Sequence, residues 1–570
     1  MRKISIILFV LIFCFVASSN LLAQSVEWAK NFGSMNDDRA QASAMDASGN
    51  TFVLSSVLGP VAFNPANLSI STASNYGNSR YIALSKFNSI GKLQSVKTFG
   101  SSVISDYGNC ITTDNLGNVY FAGSFGDKLD IDPSPTDSNF LYVQAYSDAF
   151  IIKFDKDGKL IWGKSLSGNQ NEDIKAITVD NQYNICVTGE FSGNIDCDSN
   201  NPGVHVHKTT GAADIFVAKY DAAGNYVFSE SISGPSDKFA YSIKTDNAHN
   251  IYLASYFRNT VDANPGAGID SIKSNGMMDI LLIKLDSSGA YLWSRHVGGS
   301  GDDLATSIDV NPTTGSIYLV GSISQTVDFN PASPGSSVLT SSSATDFFLL
   351  NYDTNGKFNY VKKWGGKGQD NAQNVALDRL GNLFITGYIS NTVDFNPGGT
   401  SFPLSSAGNF DAFILKTDTL GDFRWAKRLG GFGNDWGMTI NPDGAGNVFA
   451  TGTFSFTADM GDNGIVLTSV DGYDIYMFKS VLTTENVELN LDDNISVLPN
   501  PTFGQATINF NKENNDMTVS ICNLLGLQLS TTCYHNVSKI NFEIAGESGV
   551  YLINLKDGSG KSSTLKVIKK

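Results

Sequence analysis

One motif recurs seven times along the chain at nearly constant spacing, and this constrains the fold more than any other feature. An apolar run, usually aromatic at its centre, opens each copy: VEWAKNFG, LQSVKTFG, LIWGKSLSG, YVFSESISG, YLWSRHVGG, FNYVKKWGG and FRWAKRLGG. The central positions are 28, 95, 162, 228, 293, 360 and 425, so the intervals are 67, 67, 66, 65, 67 and 65 residues. Such regularity means stacked copies of one supersecondary unit.

The order inside a unit also repeats. A turn of the form Asp-x-x-Gly-Asn starts at Asp46, Asp114 and Asp378, with a shortened version at Gly444. Two units carry DNQYN at Asp180 and DNAHN at Asp246, where Asn is expected to take the positive φ that Gly takes elsewhere. An apolar run follows (VYFAGSF, IYLVGSI, LFITGYI), then an Asp-x-Asn-Pro-like step at Asp130, Asp196, Asp262, Asp328 and Asp394. After a variable loop comes an alternating run (AFIIKFD, IFVAKYD, AFILKTD) that ends in a hairpin signal. Each unit therefore supplies four short strands without helical periodicity. The expected fold class is all-β: a seven-bladed β-propeller over residues 25–480. The array begins with an aromatic run and ends without one. Residues 26–32 are accordingly expected to pair beside residues 475–479, closing the ring and removing two free edges.

The chain ends differ from the repeats. Arg2 and Lys3 precede residues 4–17, in which only Ser5 is polar, and small residues follow. This is the pattern of a signal peptide over residues 1–24. Its removal would take the net charge from −16 to −18. No later segment is apolar enough to span a membrane as a helix of ~20 residues, so no membrane span is expected in the mature chain. Residues 481–494 are polar and acidic and read as a linker. Residues 495–570 carry a separate set of alternating runs, expected to form a small β-sandwich.

Composition narrows the function classes. The acidic balance has no long run of one sign, which argues against nucleic acid, because nothing would neutralise phosphates. Cys110, Cys186, Cys197, Cys522 and Cys533 follow the leader. They form no C-x-x-C pair and, being odd in number, no disulfide framework. Cys522 and Cys533 are left as either a cross-strand pair or buried thiols. His205 and His207 are the only close histidines, with a solvated loop preferred over a metal site. The tryptophans at 28, 162, 293 and 425 alternate with Phe228 and Tyr360 at one repeat position, which points to packing. Trp364 and Trp436 fall off that register and are candidates for exposure.

Asp130 with Asp132, and Asp196 with Asp198, put paired carboxylates on one side of an extended segment, the arrangement a calcium ion uses. Later units have Asn at the second position, and Asx-Pro is an ordinary turn starter, so the turn reading is preferred. No cofactor is called for otherwise. No nucleophile with its base and no convergent carboxylate pair is readable, so no catalytic residue is assigned.

Two resemblances follow from quoted motifs. GGSGDD at 298–303, GNLFITGY at 381–388 and VDFNP at 327–331 and 393–397 resemble the bacterial SBBP-type β-propeller repeat. That resemblance implies a propeller and an extracytoplasmic location. The tail, with VLPNPTFG, VSICNLLG, SGVYLINL and a basic KVIKK end, resembles the type A C-terminal sorting domain of the type IX secretion system. The residues that carry the match are Pro499, Asn500, Pro501, Gly504, Gly526, Gly549, Tyr551, Lys569 and Lys570. It implies recognition by the type IX machinery and export across the outer membrane of a Gram-negative bacterium. It further implies removal of the domain, with release or surface attachment. The function expected is a secreted or cell-surface binding or adhesion module for a glycan or protein. A polysaccharide-active hydrolase or lyase and a structural surface-layer component are the alternatives.

Overall fold

The computed structural model describes residues 24–63, 71–72, 79–101, 106–132, 138–333, 335, 337–461, 464–482, 495–523, 528–557 and 562–570. The signal-peptide segment up to residue 23, the linker from residue 483, and Gly526 lie outside the described residues. The described residues are all β, in many small sheets, with no α-helix among them. The chain divides into two compact units, Ser25–Val481 and one containing Leu482–Lys570.

In the larger unit each repeat contributes an antiparallel set of four strands in sequence order; four sets are separate sheets, the second is extended to six strands by a short arm, and the sixth and seventh are joined in one eight-stranded sheet. The second sheet is typical: Tyr107–Thr113, Val119–Phe125, Asp148–Phe154 and Leu160–Gly168 pair side by side in that order. The seventh takes Trp436–Pro442, Val448–Asp459 and Val466–Leu482 from the end of the array and Gln24–Phe32 from the start. The N-terminal strand thus lies beside the last one, where the phase of the repeat puts it.

The middle strands are buried on both faces, which is why they read as unbroken apolar runs. All seven residues of Val119–Phe125 are buried. Alternate residues face opposite neighbours: Phe121 packs with Phe52, Leu54 and Phe99 of the first sheet, and Tyr120 and Ala122 pack with Val187 and Phe216 of the third. Seven such clusters exist, each shared by two consecutive sheets, and one joins the seventh sheet (Phe32, Phe449, Ile475) to the first (Val53, Tyr81). The leading strands pack one on the next, and Trp436–Pro442 returns to Arg39–Met45.

Polar latches follow the same circuit. Lys153 Nζ donates to the Ala222 carbonyl in the next sheet's hairpin turn at 2.9 Å, and Lys284 does so to Thr354 at 2.8 Å. Lys479 of the seventh sheet reaches Ser89 of the first at 2.8 Å. The aromatic centres stack on those turns. A Cβ on Gly91 would lie 2.8 Å from the Trp28 ring, and one on Gly224 3.0 Å from Trp162, so glycine is needed there for space as well as for its positive φ.

Four details differ from expectation. The variable loop after the Asp step contains a short two-stranded arm, such as Lys128–Asp130 with Phe140–Tyr142; three-residue strands show no periodicity to read. The positive φ in the DNQYN and DNAHN turns falls on Tyr183 and His249, which occupy the Gly position, and not on Asn. Trp364 is buried, with Nε1 donating to Phe395 at 3.0 Å, whereas Trp436 is half-buried. His205 and His207 flank and join the short strand Val206–Lys208; His205 stacks on Tyr226 at 4.0 Å and His207 Nε2 lies 2.8 Å from Ser229 Oγ.

The smaller unit is a nearly closed, barrel-like sheet and not a two-layer sandwich. The strands Gln505–Asn523 and Gln528–Glu543 are long enough to run through both halves of the unit and keep them in one sheet. A parallel bridge links Thr502, in the segment between the first two strands, to Lys569 of the last strand. Ile508, Val519, Ile540, Ile553 and Val567 fill its interior. Cys522 and Cys533 are free thiols: Cys533 sits opposite Thr518, and Cys522 opposite Gln528.

Candidate functional site at the mouth of the channel

The seven leading strands surround a cavity of about 850 Å³. Each leading strand starts where the second strand of its sheet ends, so these positions from all seven sheets collect at one mouth. In the fourth sheet this pairs Phe239 with Tyr256, ring centroids 5.0 Å apart, and Tyr241 approaches Tyr256 at 5.2 Å. Tyr241 is 42% exposed, enough to offer a ring face to a ligand.

The third sheet contributes charge beside these rings. Asp173 and Glu190 are cross-strand partners. Asn109 Nδ2 donates to Asp173 Oδ1 at 2.6 Å, and Lys175 Nζ donates to Asp173 Oδ2 at 2.6 Å. Burial pushes the Glu190 carboxyl up to about 7; Lys175 opposes that shift and Asp173 adds to it. Burial works against the Lys175 ammonium, but Asp173 and Glu190 outweigh it and hold its pKa above the usual value. In the seventh sheet Trp436, which opens the leading strand there, packs on Tyr473 at 5.1 Å, and Asn434 donates to the Tyr473 hydroxyl at 3.0 Å. Phe432 and Phe456 beside them are 80% and 65% exposed. Flat apolar faces next to carboxylate, amide and ammonium groups suit a ligand with both apolar and hydroxyl or amide surfaces.

The sequence-derived metal candidates lie elsewhere, on the short arms. Asp130 accepts the amides of Asp132 and Asn139 at 3.1 and 3.0 Å; Asp196 accepts those of Asp198 and Gly203 at 3.0 and 2.5 Å. Asp198 accepts the Asn200 amide at 3.2 Å. These carboxylates form turns, and among the described residues no group of three or more His, Cys, Asp or Glu is arranged around a common metal position.

Two series of buried charged residues escaped the sequence reading. One lies at or just before the start of each leading strand: Asp38, Asp106, Glu172, Lys238, Asp303, Asp370 and Asp435, all fully buried. Asp303 accepts the Gly299 amide at 2.6 Å and the Ser324 amide at 3.1 Å, tying a preceding turn to its own sheet. The other opens the third strand: Asp148, Asp214, Asp279, Asp346, Asp411 and Asp474, with Arg80 in the first sheet. Each aspartate of the second series meets the first series in the next sheet, the seventh sheet's Asp474 meeting Asp38, whereas Arg80 acts on Asp38 of its own sheet. The periodic acid at 38, 106, 303, 370 and 435 was the available signal.

In the smaller unit the structure gathers most of the sorting-motif residues. Asn500 donates to the Lys566 carbonyl at 2.8 Å and accepts the Ile568 amide at 2.9 Å. Lys569 Nζ caps Ile544 and Gly546 carbonyls at 2.8 and 2.7 Å. Gly504, at φ +118, accepts the Ile544 amide on its carbonyl oxygen at 2.8 Å. Tyr551 is buried, with its hydroxyl on Glu547 at 2.6 Å, and Gly549 pairs with Lys569. Pro499 and Pro501 flank Asn500, and Lys570 donates its amide to Thr502 at 2.8 Å.

Comparison with known proteins separates the two units. An uncharacterised WD repeat-containing protein of Acanthamoeba polyphaga mimivirus is 23% identical over 72% of this chain and 36% of its own length. The regulatory protein FlaEY of Caulobacter vibrioides is 27% identical over 35% of this chain and 20% of its own. The chain thus spans about a third and a fifth of these relatives. Dimeric latent PorU from Porphyromonas gingivalis aligns with 63% of this chain and 31% of its own at 10% identity, with a TM-score of 0.12, too low to carry an argument. Among the described residues no helix is long and apolar enough to cross a membrane. Residues 496–570 match the family described as the secretion system C-terminal sorting domain. The chain therefore ends in a type IX secretion sorting domain, which implies interaction with that secretion machinery and export to the cell surface or the extracellular space.

Proposed function

We propose that residues 25–480 form a seven-bladed β-propeller of the SBBP-repeat type that binds a glycan or protein ligand outside the cell. The sorting domain delivers it there and is then removed, leaving the propeller released or attached to the surface. The observation that carries the binding reading is the channel mouth, where Tyr241, Tyr256 and Phe239 stand beside Asp173, Lys175 and Glu190. Aromatic rings take the apolar face of a sugar or side chain, and the fixed polar groups orient its hydroxyls or amides. The reading is of a non-catalytic module. A glycan and protein array, run with and without calcium, tests it. Binding that Tyr241→Ala weakens at least tenfold, a loss of ~1.4 kcal/mol, supports the mouth. Binding unchanged by Tyr241→Ala counts against the mouth, and no binding to any probe counts against the module. The calcium arm also tests Asp130, Asp132, Asp196 and Asp198.

A polysaccharide-active enzyme is the second reading, and Glu190 favours it. Burial pushes the Glu190 carboxyl up to about 7, and Asp173 stands opposite it across the strand pair, so two carboxyl groups face each other with Glu190 suited to give a proton. Release of reducing ends or unsaturated sugars from array-positive polysaccharides, abolished by Glu190→Gln, would establish catalysis. Unaltered polysaccharide leaves the binding module.

A further inference from the structure

We infer that the junction between the second and third sheets holds a hard, oxygen-seeking cation between Asp148 and Glu172. At the other junctions the repeat gives the third-strand Asp a partner side chain. Asp214 pairs with Lys238 at 2.8 Å, Asp279 with His296 at 2.5 Å, Asp411 with Arg428 at 2.5 Å, and Asp346 with Lys363. Asp474 takes an amide hydrogen from Asn31 at 3.3 Å.

Asp148 has no cationic or amide side chain of this kind; the Ser167 hydroxyl is the side chain that favours its ionised form. The position that supplies His296, Lys363 and Arg428 is Ser165 in its sheet, and the position that supplies Lys238 is Glu172. Two carboxyl groups therefore face each other, both 0% exposed. Asp148 Oδ2 accepts the Gln144 amide at 3.1 Å. Asp148 Oδ1 and both oxygens of Glu172 have no donor at hydrogen-bond geometry. The nearest groups to the Glu172 carboxyl are Asp148 and the backbone at Gly168 and Gln170. Buried carboxylate oxygens without donors are costly unless something positive meets them. Three such oxygens on two neighbouring carboxyl groups are the hard, all-oxygen donor set that calcium takes. Gly168 packs directly against the pair: a Cβ there would sit 2.4 Å from Glu172 Oε1 and 1.9 Å from the Asn194 carbonyl, so only glycine leaves the Glu172 carboxyl its place, with the Asn194 carbonyl oxygen against the same residue. The site is distinct from the Asp130 and Asp196 turns and independent of the reading of the channel mouth.

The test is calorimetric titration of the full chain with calcium chloride in weakly alkaline buffer, using wild type, Glu172→Gln and Glu172→Lys. Glu172→Lys copies the Lys238 arrangement and keeps a folded control should Glu172→Gln unfold. The expected result is that wild type binds calcium and its melting temperature rises with it. Both variants lose one equivalent, and Glu172→Lys melts at a temperature calcium does not change. Wild type that binds no calcium overturns the inference, because a proton shared by the two carboxyls then suffices. Equal binding by all three proteins also overturns it, because the ion then sits elsewhere.

Discussion

Lys238 shows how little freedom a buried charge has in this molecule. Its ammonium is fully buried, 2.8 Å from Asp214, and also donates to the Gly234 carbonyl at 2.8 Å and to Ser236. Removing one partner of such a pair leaves the other buried and unpaired. Lys238→Ala is expected to cost about 3–5 kcal/mol in guanidinium denaturation, and replacing the pair together, with Lys238→Met and Asp214→Leu, to recover most of it. A small loss for Lys238→Ala would mean that water reaches Asp214. This residue was not legible in the sequence. Lysine beside Asp237 reads as surface polarity, and only the meeting of two sheets reveals that it replaces an aspartate of the repeat. The Asp46 and Asp114 turns were legible because their chemistry is local. In both, Oδ1 accepts two amides within four residues at 2.9 Å, and Oδ2 accepts the Asn side chain.

At the scale of elements, the strand Gln24–Phe32 has the largest consequence. It supplies the fourth strand of the seventh sheet, places Phe32 among Phe63, Phe87 and Ile475, and carries Glu27 to within 2.8 Å of Lys479. Without it, Val466–Leu482 becomes an open edge, which invites pairing with another chain. A variant lacking residues 24–32 is expected to melt at lower temperature and to elute as oligomers on size exclusion. A synthetic peptide of residues 24–32 is expected to restore the monomer by adding back the strand. Oligomers that persist at saturating peptide would contradict this role. The period and phase of the repeat made this strand legible. The short arms and the closure of the sorting domain were not, because both depend on contacts distant in sequence, such as Thr502 with Lys569.

At the scale of the whole molecule, the ring concentrates carboxyl groups between its sheets, and this sets its response to pH. Burial raises Asp38, Asp106 and Asp370 to about 6, Asp303, Asp435 and Asp474 to about 7, and Glu172 to about 8. A carboxyl raised in the folded state contributes stability that is fully present below its unfolded value, near 4, and is lost as pH rises through the folded value. The melting temperature in chelator is therefore expected to fall from about pH 5 to about pH 8, the reverse of a protein whose carboxylates are mostly held by cations. Groups with lowered values, such as Asp180, set the opposite slope at lower pH. A profile flat across that interval would mean that these carboxyls are hydrated. The channel and its mouth exist only if the ring is closed, so amide hydrogen exchange across residues 26–32 tests the account most directly. Protection as strong as that of Val466–Leu482 beside it, lost together with it on unfolding, is the expected result. Exchange at the rate of an unpaired chain end, with the rest of the molecule protected, would contradict it.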